Sequence, residues 1–328
     1  DPKLITQSDA ILSKVVSDLI KEKPNILLIP GDLTKDGEKI NHKDLAKILK
    51  KLTDAGIKVF VIPGNHDINN PHSWSFADKK SIATITADEF ASIYYNYGYK
   101  NSVRDENSLS YINKVTGKLW ILGIDACKYD QNTTEPIVSG AIKPETMLWI
   151  QKNMEEANAK GVQVLAMMHH GILQHYYGQE EFDPGYLVEN WPEKAEAFMG
   201  MGIKLVFTGH YHANDIAQIS EENYSLSDIE TGSLVSWPSP YRIINIDGDA
   251  LLNIDSKVVT TIDASLPGGM DFVSYSRLFH EMHFDAYFSV ALYLKYQHLG
   301  VTEEFAAQIA PLFRNAIMVH YAGDENLV

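Results

Sequence analysis

Ile26-Leu27-Leu28-Ile29-Pro30-Gly31-Asp32-Leu33-Thr34-Lys35-Asp36-Gly37 is an apolar run that stops at a glycine and then presents a carboxylate. Four aliphatic residues in succession leave no polar face, which is the pattern of a strand covered on both sides. Three more stretches repeat the plan. Residues 58–62 lead into Gly64-Asn65-His66-Asp67, residues 162–168 into His169-His170, and residues 204–207 into Gly209-His210-Tyr211-His212. Open α/β sheets build their sites beyond the carboxyl ends of strands, so these four exits are expected to bring Asp, Asn and His side chains together. Glycine at 31, 64 and 209 lets the backbone turn sharply and approach an ion without a Cβ clash.

Outward from these exits the chain alternates helix and strand. Ser8 is placed to cap a helix carrying Ile11, Val15, Val16, Leu19 and Ile20, which Pro24-Asn25 ends. A second helix is expected over 42–54, stopped by Gly56. Strand, helix and strand then make a βαβ unit, so the first two strands should be parallel and adjacent. Residues 68–107 are polar and tyrosine-rich, with a helix over 87–97. Residues 108–115 and 118–125 read as an antiparallel pair turning at Thr116-Gly117. Residues 144–160 read as an amphipathic helix, and 232–262 as several short strands.

From 271 onward the pattern is helical only. Phe272, Tyr275, Phe279, Met282, Ala286, Val290 and Leu294 fall in register, and this stripe is expected to be core against the sheet domain. A further helix over 302–321 is expected to be interrupted by Pro311. His280 and His283 are spaced i, i+3, unlike the two histidines of H-E-x-x-H, and are read as an exposed face. The switch in pattern divides the chain into a sheet domain, 1–262, and a helical domain, 263–328.

The 328 residues suffice for one large core and a smaller second unit. The formal charge of −15, from 28 Lys plus Arg against 43 Asp plus Glu, disfavours a nucleic-acid polymer as partner. A local metal charge can still draw a small phosphate ester into one cleft. With Cys127 alone, neither an intrachain disulfide nor a thiolate cluster can form. No apolar run reaches the roughly 20 residues that span a bilayer.

Asp, Asn and His donors suit Fe, Mn, Zn or Co better than Ca. Two such ions, bridged by a carboxylate, can lower the pKa of a shared water and clamp a phosphoryl group for in-line attack. Singly, each exit has an ordinary reading: Gly-Asp as a turn, Asn-His-Asp as loop chemistry, one His of a pair as a core histidine. His210 and His212 at i, i+2 would share a face if extended. All four exits in this order, each after a strand, leave the ordinary readings little room.

The set resembles the calcineurin-like metallophosphoesterase superfamily, whose pattern is D-x-H, G-D-x-x, G-N-H-[DE], H and G-H-x-H, and is closest to bacterial class III cyclic-nucleotide phosphodiesterase-like proteins. The resemblance covers about residues 1–262 and implies a four-layer α/β/β/α sandwich with a C-terminal helical domain. It implies that Asp32 bridges two divalent transition-metal ions (Mn, Fe or Zn). Asn65, His169 and His210 would complete the second and His212 would serve the first. His66 would be the general acid or stabilise the transferring phosphoryl group, with Asp67 orienting it. No D-x-H stands before Gly31, and the strand that carries it is expected upstream of Asp1.

The implied activity is hydrolysis of a cyclic nucleotide or similar small phosphodiester by a metal-bridging hydroxide. The alternatives are a phosphomonoesterase or nucleotide pyrophosphatase, or a non-catalytic ligand-binding protein lacking the first metal. His170, His175, Tyr176 and Arg242 are candidate substrate contacts. The helical domain is open to three roles: a lid, a surface for a homodimer, or an anchor spacer. The resemblance suggests a bacterial protein, extracellular or lipid-anchored at the cell surface, without excluding the cytoplasm.

Overall fold

The structure, a computed structural model, describes residues 2–221, 224–246 and 252–323. Its elements run α1 (Ser8–Glu22), β1 (Ile26–Pro30), α2 (Lys39–Asp54), β2 (Lys58–Ile62), β3 (Trp74–Ser75), β4 (Lys80–Ser81), α3 (Ala87–Ile93), β5 (Val103–Arg104), β6 (Tyr111–Asn113) and β7 (Leu119–Ile124). They continue with α4 (Pro144–Ala159), β8 (Gln163–Met168), α5 (Gln179–Phe182), α6 (Trp191–Gly200), β9 (Leu205–Thr208), β10 (Ile216–Glu221), β11 (Tyr224–Glu230), β12 (Pro240–Ile246), β13 (Leu252–Val258), α7 (Phe272–Tyr296) and α8 (Glu303–Ala322). These elements divide between two compact units.

The larger unit, residues 19–211 and 216–230, holds β1 to β11. β1 and β2 are parallel, in register from Ile26 opposite Lys58 to Pro30 opposite Ile62, as a βαβ unit requires. They pack on a seven-stranded sheet of order β10-β11-β9-β8-β7-β6-β5, meeting it at β7, β8 and β9. α2 packs on β2, while α4 and α6 pack on β8 and β11 of the large sheet. The layers are therefore helix, sheet, sheet, helix, an α/β fold. Trp120, Ile150, Met154, Phe198, Val206 and Leu226 fill the interface beneath α4 and α6. The antiparallel pair expected around Thr116-Gly117 is β6 and β7.

Two expectations in this unit change. β1 is half-buried at all five positions, because β2 is its one strand neighbour among the described residues. The helix expected over 87–97 stops at Ile93 and passes into a wider turn, Tyr95–Tyr99. Gly98 there has φ 127°, and a Cβ on it would stand 2.2 Å from the Tyr111 hydroxyl, so α-helix cannot continue through it.

The smaller unit, residues 2–18, 212–215 and the described part of 231–323, holds most of α1, the β12–β13 hairpin and the α7–α8 pair. α7 and α8 are joined by Arg314 to Asp285 at 2.8 Å and by the Phe288 and Phe313 rings. The buried line of α7 is Phe272, Ser276, His280, Phe284 and Leu292, whereas Met282, Val290 and Leu294 of the expected stripe are exposed. An α-helix apolar on more than one side does not reveal by periodicity which side packs.

His280, expected on an exposed face, is wholly buried. Its Nδ1–H donates to the Ser276 carbonyl at 2.8 Å and its Nε2 accepts the Trp237 N–H at 3.2 Å. α8 runs through Pro311 without a break. The missing N–H costs one intrahelical bond to Ala307. Among the described residues no helix is long and apolar enough to cross a membrane.

Candidate metal centre

β1 and β2 end side by side, and so do β8 and β9, so four loops leave the same end of the larger unit's sheets. The first two loops cross at Gly31 and Gly64. A Cβ on Gly64 would lie 2.2 Å from the Asp32 nitrogen, and one on Gly31 would lie 2.6 Å from the Gly64 nitrogen. With no side chain at the crossing, Asp32 and Asn65 come together. Asp32 itself has φ 51° and His210 φ 74°, left-handed conformations that cost a non-glycine residue roughly 1–2 kcal/mol. Such strain at two candidate ligands is the kind that function retains.

Asp32, His169 and His210 each bring one ligand atom to within 4.8 Å of the others. His169 is fully sequestered. Its Nδ1 lies 2.6 Å from the Pro30 carbonyl, and a proton there leaves the lone pair on Nε2. That lone pair faces the Asn65 Oδ1 at 3.2 Å and the Asp32 Oδ1 at 3.4 Å. With Nε2 unprotonated, three acceptor atoms point at one another, an arrangement that a cation resolves, whether a proton on the imidazole or a metal ion. Asn65 is buried, and its Nδ2 has no partner among the described residues. The donor set fits a divalent transition metal, and the Pro30 carbonyl supplies the outer support that fixes a metal-binding imidazole. Burial pulls the His169 pKa down, but the Asp32 carboxylate, aided by the Pro30 carbonyl and Asp67, outweighs it and the net shift is upward.

His210 is held in the same way. Its Nε2 lies 3.2 Å from the Gly185 carbonyl, and its ring sits 4.7 Å from those of His169 and Tyr186. His212 belongs to the smaller unit, where its φ is 68° and its ring meets Tyr321 edge-on at 6.0 Å.

The partner of His66 differs from the sequence-based expectation. Asp36, in the Asp32 loop, meets His66 Nδ1 at 3.2 Å. Asp67 instead accepts the backbone N–H groups of Gly64, Leu33 and Thr34 at 2.8, 3.0 and 3.1 Å. It is a staple between two loops, buried beneath them, and contiguity with His66 was a poor guide to its direction. Burial would raise the Asp36 pKa, yet hydrogen bonds from His66 and Lys35 win and hold it below the usual carboxylate value. Asp36 was legible in the quoted loop, four residues after Asp32.

The four candidate substrate contacts are each engaged by the protein itself, and the His170 ring lies 4.5 Å from that of His210. His170 is buried, with Nε2 at 2.9 Å from the Val138 carbonyl, and burial with the neighbouring His169 pushes its pKa down to about 3. His175 is enclosed 3.4 Å from Asp228, so it packs inside instead of lining a cleft. The Tyr176 hydroxyl donates to Asp183, which also accepts from Tyr211 at 3.1 Å. Arg242 is on β12 of the smaller unit and donates to Ser256 at 2.8 Å. The carbonyls of Pro30 and Gly185 carried no signal in the sequence, since any residue has a carbonyl.

The sequence profile of the calcineurin-like phosphoesterases matches residues 6–214, well over half of the chain. The chain belongs to that family. The family is one of phosphoesterases, and membership in it implies divalent metal ions. It is 38% identical over 85 residues to a probable cyclic nucleotide phosphodiesterase of Vesicomyosocius okutanii subsp. Calyptogena okutanii (strain HA), covering 26% of this chain and 35% of that protein. A probable cyclic nucleotide phosphodiesterase of Ruthia magnifica subsp. Calyptogena magnifica is 42% identical over 59 residues, 18% of this chain and 24% of that one. The chain thus matches about a third or less of the length of these curated relatives. Among solved structures, a dimetal phosphatase from Danio rerio aligns over 71% of this chain and 80% of its own, at 13% identity and a TM-score of 0.48.

Proposed function

We propose that this metallophosphoesterase hydrolyses a small phosphodiester, with cyclic nucleotides as the leading substrate class, at the Asp32–His169–His210 cluster. The observation that carries the reading is the inward convergence of acceptor atoms at that cluster, the Asn65 oxygen included. Asp32, Asn65, His169 and His210 hold the ions in this reading, with His212 added on the family pattern alone. Two ions, Mn, Fe or Zn, would supply Lewis acidity, neutralising phosphoryl charge and lowering the pKa of an attacking water.

The remaining work falls to the chain itself. His66 presents Nδ1 to Asp36 at 3.2 Å, so Nε2 is the atom that can hand a proton to the leaving oxygen. Ionised Asp36 favours the protonated imidazole. Asp67 locks the Asp32 loop to the Asn65–His66 loop through three backbone N–H groups, which fixes the proton donor relative to the ligands. The cyclic-nucleotide class draws on the names of two partial relatives. Three further elements of the proposal rest on sequence pattern or resemblance: a phosphoesterase domain over 1–262 with a helical domain over 263–328, attachment at a bacterial cell surface, and a homodimer through the helices.

The test is turnover of cyclic nucleotides, bis(p-nitrophenyl) phosphate and p-nitrophenyl phosphate by chelator-treated protein given Mn2+. Diester turnover exceeding monoester turnover, and lost in Asp32→Ala, supports the reading. Turnover of monoester alone replaces it with a phosphomonoesterase. Tight Mn2+ binding without turnover of any ester replaces it with a ligand-binding protein.

A further inference from the structure

Asp228 is wholly buried on β11, and the chemistry above makes no use of it. A buried carboxylate is tolerated only where its oxygens are satisfied. Here the two oxygens serve different loops. Oδ2 accepts the N–H groups of Ile172 at 2.7 Å and Leu173 at 3.1 Å, just after His169-His170. Oδ1 accepts the Thr208 hydroxyl, two residues before His210. His175 Nε2 closes the group at 3.4 Å. β11 lies parallel to β9 with Asp228 opposite Val206, which brings the carboxylate between the two loops.

We propose that Asp228 is a positioning residue that sets the separation of His169 and His210, whose rings are 4.7 Å apart. The inference rests on the metal-centre reading. Alanine in its place leaves both loops without their shared acceptor. Asparagine could keep both ties by turning its amide N–H onto the Thr208 hydroxyl, which also accepts. The loops are also tied directly by the Gly209 N–H to the His169 carbonyl at 3.1 Å, and each ring is held by a carbonyl of its own, Pro30 for His169 and Gly185 for His210.

The experiment is calorimetric titration of Mn2+ into the chelator-treated full chain, with the melting temperature of the metal-free protein measured beside it. Asp228→Ala is expected to bind Mn2+ at least about tenfold more weakly than wild type, the scale of outer-support losses at metal sites. Asp105→Ala is the control: Asp105 is a buried carboxylate bonded to Ser108 and Thr146. It should melt earlier and keep Mn2+ affinity. Wild-type affinity in Asp228→Ala, or an equal loss in Asp105→Ala, overturns the inference. If Asp228→Ala does not fold, Thr208→Val decides: weaker binding than wild type is expected, and unchanged binding overturns. A wild-type protein that takes up no Mn2+ sinks the metal-centre reading itself, a failure distinct from that of the variants.

Discussion

Asp36 Oδ1 lies 3.2 Å from His66 Nδ1, while the carboxylate adjacent in sequence, Asp67, is turned onto backbone N–H groups of the neighbouring loop. The pair joins two strand exits through side chains, with one partner in each loop. It gives the imidazole a fixed direction and an anion to support its charged form.

Asp36→Asn should therefore depend on the leaving group. With an alkoxide leaving group, which needs a proton, turnover should fall by about 100-fold. With p-nitrophenolate, which departs unprotonated, the fall should be far smaller. Equal losses on both substrates would show that Asp36 supports the loop and not proton transfer.

Gly64→Ala places a methyl group 2.2 Å from the Asp32 nitrogen. Backbone cannot yield as the end of a flexible side chain does. Stability should drop by about 1–3 kcal/mol, as for other overpacked sites, and Mn2+ binding should be lost with it. Chemical denaturation and calorimetry on one preparation check both. Retained binding would mean that the crossing opens without cost.

Metal removal should lower the melting temperature, because an ion held by Asp32, Asn65 and His169 binds the folded chain and not the unfolded one. At Mn2+ near 100 times its dissociation constant the stabilisation is about 2.7 kcal/mol. His169→Ala should abolish the increment. A melting temperature in wild type that ignores Mn2+ would contradict the assignment.

His42 gives a pH dependence. It is buried between the Tyr94 hydroxyl at 2.8 Å and the Asp67 carbonyl at 3.0 Å, and burial pushes its pKa down to about 4 from 6.5. The unfolded chain takes up a proton near pH 6.5 that the folded chain refuses until about pH 4. Its contribution is intact above pH 6.5 and falls as the solution is acidified toward pH 4, by on the order of 1 kcal/mol per pH unit. His42→Gln should flatten that slope in urea titrations, and an unchanged slope would assign it elsewhere.

The strands and their exits were legible because buried parallel strands are apolar on both faces and glycine marks where they turn. That logic led to the four exits, and the family resemblance picked out Asp32, Asn65, His169 and His210 among them, which the larger unit gathers. The direction of a side chain within a loop was not legible. It follows from backbone angles such as φ 51° at Asp32, which no periodicity encodes. Asp36 rather than Asp67 at His66 is one result, and the enclosed His175 another. The helical pair was legible as helix, but not its packed side. The polar Ser276 and His280 lie inside, while Met282 and Leu294 face solvent.

The crossing of Gly31 and Gly64 also bears on remodelling. Two loops that touch through bare backbone behave as a single block, so a change of length in one shifts the other and everything each carries. Altered selectivity is better sought at the periphery, for example at Tyr177 and Phe182, which stand out in solvent after the paired histidines. A library at these two positions can vary shape and polarity there while the block beneath keeps its form.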